Sequence, residues 1–217
     1  MDKRLLQTTV LGNRQLSGTA FELCLERPSG FEFVPGQRLR VHWGDNPRDY
    51  SIASSPAEDQ LIICIRYFPQ GRVTPGLSRL VPGEVLTMSG PHGHFSHQST
   101  HASAVFVATG TGIAPFRAMV LTHCRPFLVL HGVAAAAERF YRDTFLRAHV
   151  PYTACLSGGE APEDTDYAGR VTRYLSHRLP IGNYDFYLCG HREMIRDATH
   201  VIDERFEDAR IFSEIFY

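Results

Sequence analysis

Long apolar runs are missing from this sequence of 217 residues, because no stretch approaches the roughly 20 apolar residues needed to cross a bilayer. The first nine residues include basic side chains but no apolar segment long enough for a signal peptide. An excess of charge is missing too, since 22 Lys and Arg face 23 Asp and Glu. We therefore expect a cytoplasmic protein without a membrane span and without a basic surface for nucleic acid.

Closely spaced cysteines are also absent. The five cysteines stand far apart and none belongs to a C-x-x-C pattern, which argues against zinc or an iron–sulfur cluster held within this chain. His92, His94 and His97 cluster in one segment, and alternate histidines on a strand would share a face that could hold a metal, but a polar segment is the favoured interpretation. No metal site is predicted. With 43% hydrophobic and 21% charged residues, the chain can bury a globular core.

The first half of the chain is predicted to be all β. Short runs rich in β-forming residues are separated by Pro- and Gly-containing turns, a spacing typical of a small antiparallel barrel or sandwich. The predicted strands are Phe21–Leu25, Leu39–Trp43, Leu61–Ile65 and Val85–Met88.

The second half alternates strands with helices, which indicates βαβ units and a parallel sheet. The predicted strands are Ala104–Ala108, Phe127–His131, Tyr152–Leu156, Asp185–Cys189 and Ile211–Ile215. The predicted helices run to about Thr122, over Ala134–His149, from Gly169 through Ser176, and over Glu193–Arg205. Such sheets bind ligands outside the carboxyl ends of their strands.

The clearest motif of the second half is T-G-T-G-I-A-P-F, residues 109–116, between an apolar strand and a helix. Glycines let the backbone approach a phosphate closely, and the amides of a first helical turn face an anion. Pro115 suits that first turn because its missing N–H loses no helical hydrogen bond. Such loops also arise for packing alone, so the motif by itself leaves both interpretations open.

A second motif, R-D-Y-S-I-A-S-S at residues 48–55, taken alone favours a strand with an exposed Arg and a Ser-rich turn. Together, however, the motifs occur in an order that resembles the ferredoxin–NADP(+) reductase family, both plant-type and bacterial. The series continues with G-R-V-T, G-P-H-G-H-F, G-T-G-I-A-P-F, Y-L-C-G and a C-terminal S-E-I-F-Y. The resemblance extends from Pro35 to Tyr217.

That resemblance implies an N-terminal antiparallel Greek-key β-barrel that binds FAD, residues 1–100, and a C-terminal parallel-sheet α/β domain that binds NAD(P)H, residues 101–217. Arg48 would pair with the flavin phosphates, Tyr50 would pack on the isoalloxazine ring, and the Ser51 hydroxyl would contact the ring nitrogen that accepts hydride. Thr74 would offer its hydroxyl and backbone amides to the pyrophosphate. The further FAD contacts would come from Ile52, Ala53, Ser54, Gly71 and Val73.

The resemblance also implies a nicotinamide site with Ser51, Cys189 and Glu214 as catalytic residues. Without the motif, Cys189 is an ordinary strand cysteine and Glu214 a solvated acid near the chain end. A terminal aromatic, Phe216 or Tyr217, would stack on the flavin and move before hydride transfer. The dinucleotide contacts would come from Thr109, Gly110, Thr111, Gly112, Ile113, Pro115, Cys189 and Gly190.

The expected function is a flavoprotein oxidoreductase that moves hydride and electrons between NAD(P)H and a separate ferredoxin or flavodoxin. An NAD(P)H:flavin reductase, a non-catalytic flavin subunit and the reductase component of an oxygenase are the alternatives. The Arg that NADP-specific members carry after His-Gly-Val is replaced here by Ala134–Ala137, and Ser157-Gly158-Gly159-Glu160 also lacks an Arg. We therefore predict no strong preference for NADPH, although Arg139, Arg142 or Arg170 could substitute.

Overall fold

The computed structural model describes residues 5–98, 100–159 and 165–216. Backbone contacts divide the chain into two units, of which the first takes the described residues up to 97 together with 114–122. The second unit takes 98–113 and the described residues from 123 onward. Among these residues, no helix combines the length and the apolar character needed to cross a bilayer.

The first unit is an antiparallel sheet with the strand order β4-β3-β6-β1-β2-β5. A bridge between Ile52, just after β4, and Ile63 on β5 joins the two edges, so the sheet closes on itself as the predicted barrel. The helices of this unit are the single turn α1 (Thr74–Leu77) and α2 (Ala114–Leu121). Its strands are β1 (Leu6–Ser17), β2 (Ala20–Glu26), β3 (Arg38–His42), β4 (Arg48–Ser51), β5 (Gln60–Arg66) and β6 (Val85–His92).

The longest strand of the barrel, β1, carries too few apolar residues to be predicted from the sequence. Only Thr8 and Val10 of its residues are buried. Thr8 can lie inside because its hydroxyl donates a hydrogen bond of 2.7 Å to the carbonyl oxygen of Glu26, which compensates the lost hydration. The strand is therefore stabilised by backbone pairing with β2 and β6 on its two sides.

The second unit is a parallel sheet, as predicted, and its six strands have the order β10-β9-β8-β7-β11-β12. Its helices are α3 (Arg142–Arg147), α4 (Val171–His177) and α5 (Arg192–Arg205). Its strands are β7 (Ser103–Thr109), β8 (Leu128–Val133), β9 (Tyr152–Leu156), β10 (Tyr167–Ala168), β11 (Tyr184–His191) and β12 (Arg210–Phe216).

The strand order reverses between β7 and β11. From β7 the chain proceeds outward through β8 to β10, then returns to the other side of β7 to add β11 and β12. At such a reversal the connections leave in opposite directions, which opens a crevice at the carboxyl ends of the two central strands. Thr109 ends β7 and His191 ends β11, so the sequence motifs around them meet at this point.

The predicted helix over Ala134–His149 is wrong, because the segment folds into two short pieces. A 3₁₀ turn occupies Ala136–Glu138, and α3 begins only at Arg142. Between them, Tyr141 adopts the left-handed conformation with φ of 60°, which an α-helix does not accommodate. The Glu138 carboxylate also accepts a hydrogen bond of 3.0 Å from the Ala134 amide, a turn contact that the helical pattern does not reveal.

Candidate functional site

The carboxyl ends of β7 and β11 are joined by Thr109 and Gly190. The Thr109 hydroxyl accepts a hydrogen bond of 3.0 Å from the His191 amide. Gly190 has a φ of 138°, and a Cβ at this position would overlap the Thr109 hydroxyl oxygen. Only glycine therefore allows the two strand ends to approach this closely.

The two glycines of the loop after β7 have different tasks. A Cβ on Gly112 would overlap the carbonyl group of Cys189, so this glycine is needed for packing against β11. Gly110, with φ of 50°, would place a Cβ in open space: apart from its chain neighbours, no atom of the described residues lies within 4 Å of that position. The side of the loop at Gly110 is thus accessible to a ligand, whereas the side at Gly112 is closed.

The remaining loop residues mostly fill the interior. Thr111 and Ile113 are buried, and the 3₁₀ turn of residues 110–113 leads directly into α2. Pro115 stands in the first turn of α2, where it was predicted. The loop therefore offers its backbone, and not these side chains, to a ligand.

Cys189 and Glu214 are register partners on the neighbouring strands β11 and β12. The Cys189 side chain is fully buried, and Glu214 is only 7% exposed. The alternative of a solvated acid at the chain end is therefore wrong for Glu214. Phe216 lies opposite His191 in the same ladder, whereas Tyr217 lies outside the described residues.

A buried histidine behind the loop was not singled out from the sequence. His131, on β8, has its Nε2 2.8 Å from the Gly110 carbonyl oxygen and its Nδ1 2.9 Å from the Tyr152 hydroxyl. Burial lowers the pKa of His131 to about 4, against the opposing effects of the Gly110 hydrogen bond and of Glu138. The available signal was one polar residue within the apolar strand L-V-L-H-G-V.

In the first unit, β4 carries the predicted flavin residues at its end. Arg48 is exposed and donates to the Pro47 carbonyl at 2.8 Å; among the described residues, no carboxylate pairs with its guanidinium. Tyr50 and Ser51 are buried at 7% and 2% exposure, and Tyr50 belongs to the core of the barrel. The strand thus presents the Arg48 guanidinium to the outside and keeps the Tyr50 ring and the Ser51 hydroxyl within the protein.

Backbone groups after β4 are held by the barrel itself. Ile52 forms the closing bridge, and the Ala53 amide donates to the Ile62 carbonyl at 2.7 Å. The Ser54 hydroxyl accepts from the Ile62 amide at 3.1 Å. Arg117 of α2, which the sequence did not indicate, donates to the Ala53 carbonyl at 2.5 Å. These contacts make the segment a rigid element of the first unit.

The segment Gly71–Thr74 closes a turn. The Thr74 hydroxyl accepts from the Phe68 amide at 3.0 Å and donates to the Phe68 carbonyl at 3.1 Å. This hydroxyl is therefore engaged in the turn. Pro75 has no N–H, and the Gly76 and Leu77 amides donate to the Val73 carbonyl, so the amides of Val73 and Thr74 are the groups that could meet a phosphate. Val73, next to it, is buried in the same core cluster as Tyr50.

Both residue sets suit the dinucleotides that the sequence predicted. The first unit supplies an exposed guanidinium without a carboxylate partner in the described chain, which matches a phosphate, and a buried hydroxyl, which can donate and accept. The second unit supplies an open glycine loop at a switch point, which matches a pyrophosphate. The donor sets therefore fit FAD and a nicotinamide dinucleotide, respectively.

Comparison with known proteins agrees with this assignment. Residues 12–97 match the family described as the oxidoreductase FAD-binding domain, and residues 106–200 match the oxidoreductase NAD-binding domain. A toluate 1,2-dioxygenase electron transfer component from Pseudomonas putida is 29% identical over 90% of this chain and 62% of its own length. The ferredoxin–NADP reductase B of Sorangium cellulosum is 35% identical over 62% of this chain and 58% of its own length.

The chain thus spans less than two thirds of the length of these two curated relatives. Among solved structures, a ferredoxin NADP+ reductase from Neisseria gonorrhoeae with bound FAD and NADP superimposes with a TM-score of 0.86. The superposition covers 100% of both chains at 17% sequence identity, and it shows that the two proteins share a fold.

Proposed function

We propose that this chain, which belongs to the ferredoxin reductase-like family of FAD- and NAD-binding oxidoreductases, delivers electrons from NADH or NADPH to a separate carrier protein such as a ferredoxin or flavodoxin. The observation that carries the proposal is the convergence of the open glycine loop, Cys189 and Glu214 at the switch point of the second unit. A protein that only stored flavin would not need this site.

The first unit would hold FAD through Arg48 and the amides of Val73 and Thr74, while the Ser51 hydroxyl would hydrogen-bond the reactive edge of the ring. FAD supplies the ability to take two electrons as hydride and to release them one at a time. The protein contributes orientation and charge: Arg48 offsets the phosphates, and Ser51 can serve as donor or acceptor.

The second unit would bind the pyrophosphate of the nicotinamide dinucleotide on residues 109–113. Cys189 and Glu214 would then line the position of the nicotinamide, where a buried carboxylate can orient the carboxamide or hold a proton. Phe216 or Tyr217 would stack on the flavin and move aside before the nicotinamide enters.

We expect no strong preference for NADPH. The side chains that follow β8 are alanines, and the nearby cation Arg139 already forms an ion pair of 3.0 Å with the fully buried carboxylate of Asp166. A 2′-phosphate without its cationic partner loses about 1.5–3 kcal/mol of binding free energy. The ratio of kcat/KM for NADH and NADPH tests this, and a hundredfold preference for NADPH would contradict it.

The test of the function itself begins with the absorption spectrum of the purified chain and its FAD content. Reduction of ferricyanide by NADH or NADPH then establishes that the isolated chain is catalytic. Arg48→Ala should weaken FAD retention by about tenfold or more, since a charge-assisted phosphate contact is lost. Arg196→Ala, on the exposed surface of α5, is the control that should retain FAD normally.

Two results would redirect the assignment. A colourless protein that binds FAD no better than FMN or riboflavin would favour an NAD(P)H:flavin reductase. Faster reduction of an oxygenase component than of ferredoxin or flavodoxin would favour an oxygenase reductase, which the relative from Pseudomonas putida makes a specific candidate. An Arg48→Ala protein that remains fully loaded with FAD would show that the phosphate assignment is wrong.

A further inference from the structure

His131 stands directly behind the open loop at the carboxyl end of β8. Its Nε2 lies 2.8 Å from the carbonyl oxygen of Gly110. A carbonyl can only accept a hydrogen bond, so Nε2 must carry the proton. The ring is fully buried and packs near Phe140 and Tyr152, with centroids 6.1 Å and 6.0 Å away, so its position is set by packing as well.

The other ring nitrogen is controlled by Tyr152. Its hydroxyl lies 2.9 Å from Nδ1, which in the neutral ring has a lone pair to accept the phenolic proton. Burial raises the pKa of Tyr152, and the charge of Asp166 adds to this effect, so the phenol remains a donor. Burial also lowers the pKa of His131 to about 4, so the ring is neutral at physiological pH. Each of the two hydrogen bonds therefore has a fixed donor: the Tyr152 hydroxyl donates to Nδ1 of His131, and Nε2 of His131 donates to the Gly110 carbonyl.

The hydrogen bond from His131 orients the peptide group between Gly110 and Thr111. In a trans peptide the carbonyl and the following N–H point in opposite directions. A Gly110 carbonyl held by His131 therefore directs the Thr111 N–H away from the sheet interior. Gly110 has a φ of 50° and no side chain of its own, so this residue itself contributes only backbone groups to the contacts that orient the peptide.

We propose that His131 is a positioning residue for dinucleotide binding: through its hydrogen bond to Gly110 it holds the loop amides in the orientation that receives the pyrophosphate of NADH or NADPH. The inference rests on the proposed function. It adds a residue that touches neither the flavin nor the nicotinamide, and whose effect is confined to ligands that carry a diphosphate bridge.

The experiment measures binding of ADP-ribose to the FAD-loaded protein by calorimetry, because ADP-ribose carries the pyrophosphate and no nicotinamide. His131→Leu removes the donor and should weaken ADP-ribose binding by about tenfold. His131→Gln places an amide N–H where Nε2 stood and should restore binding to within about threefold. His200→Gln, on the exposed surface of α5, is the matched control and should bind as the wild type does.

Steady-state kinetics with NADH give a second reading. His131→Leu should raise KM while kcat at saturating NADH changes little, because the loop binds the substrate without touching the reacting atoms. Equal weakening of ADP-ribose binding by Leu and Gln, or unchanged binding in His131→Leu, would overturn the proposal.

Nitrogen-15 NMR of the wild type keeps the proposal testable even if His131→Leu fails to fold. A neutral ring protonated on Nε2 is expected, and an Nδ1–H tautomer would refute the argument. Tyr152→Phe, which removes only the hydroxyl, should admit the second tautomer and weaken ADP-ribose binding by a few-fold. If the wild type itself binds neither ADP-ribose nor NADH, the proposed function has failed, a result distinct from failure of the positioning role.

Discussion

Acidification should destabilise the second unit through the neutral, buried ring of His131. Burial lowers the pKa of this histidine from 6.5 to about 4 in the folded protein. In the unfolded chain the imidazole regains an ordinary pKa near 6.5. Between these two values the unfolded state binds a proton that the folded state does not, so the free energy of unfolding falls as the pH falls.

The size of the effect follows from the difference between the two pKa values. A difference of one pKa unit corresponds to about 1.4 kcal/mol. The titration of His131 therefore lowers the free energy of unfolding by about 2 kcal/mol at pH 5 and by about 3 kcal/mol at pH 4. Above pH 6.5 the ring is neutral in both states and the contribution vanishes. Below pH 4 the folded protein also takes up the proton, so the loss levels off.

Native-state hydrogen exchange, read at the amides of β8 and β9 between pH 5 and pH 7.5, measures this loss. The single tryptophan, Trp43, belongs to the first unit, so its fluorescence would not report on the second. His131→Gln cannot titrate and should lack the component of about 2 kcal/mol at pH 5. His200→Gln, which removes an exposed histidine, should keep the wild-type profile.

Two outcomes would refute this reasoning. One is the same dependence of opening free energy on pH in wild type and His131→Gln. The other is a directly titrated pKa of His131 near 6.5 in the folded protein. Either would mean that the ring is accessible to water or lacks its hydrogen bonds to Gly110 and Tyr152.

Three further predictions concern the two sites. Ser51→Ala should slow flavin reduction by NADH in stopped flow while FAD content stays near that of the wild type; unchanged rates would remove Ser51 from the mechanism. Gly112→Ala should lower the free energy of unfolding of the second unit by about 2 kcal/mol, since its Cβ would overlap the Cys189 carbonyl; Gly18→Ala, with open space around it, is the control. Removing Tyr217, and then Phe216 as well, should tighten NADH binding at the step that deletes the stacking ring, and unchanged affinity in both truncations would exclude gating.

Much of the architecture was already predictable from local patterns. Val105–Ala108 is an uninterrupted apolar run that ends in a glycine-rich turn, and such a run is typical of a strand buried on both faces of a parallel sheet. The fold class and the family were confirmed. The sequence could predict them because each motif lies within a short segment and the spacing between motifs is set by the strands that carry them. The strand β1 escaped prediction because it is held by pairing with β2 and β6 and carries few apolar residues. The break at Tyr141 escaped prediction because the helical pattern does not reveal the local turn contact between Glu138 and Ala134.

The sequence by itself determined which residue types are available: the exposed cation at Arg48, the hydroxyl at Ser51 and the glycines of the loop. Only the tertiary structure decided that Gly112 serves packing while Gly110 faces open space, because this depends on where β11 ends. Only the tertiary structure, likewise, joined His131 to Gly110 and Tyr152, each 21 residues away along the chain. A hydrogen bond between neighbouring strands depends on sheet register, and register is a property of the folded chain as a whole.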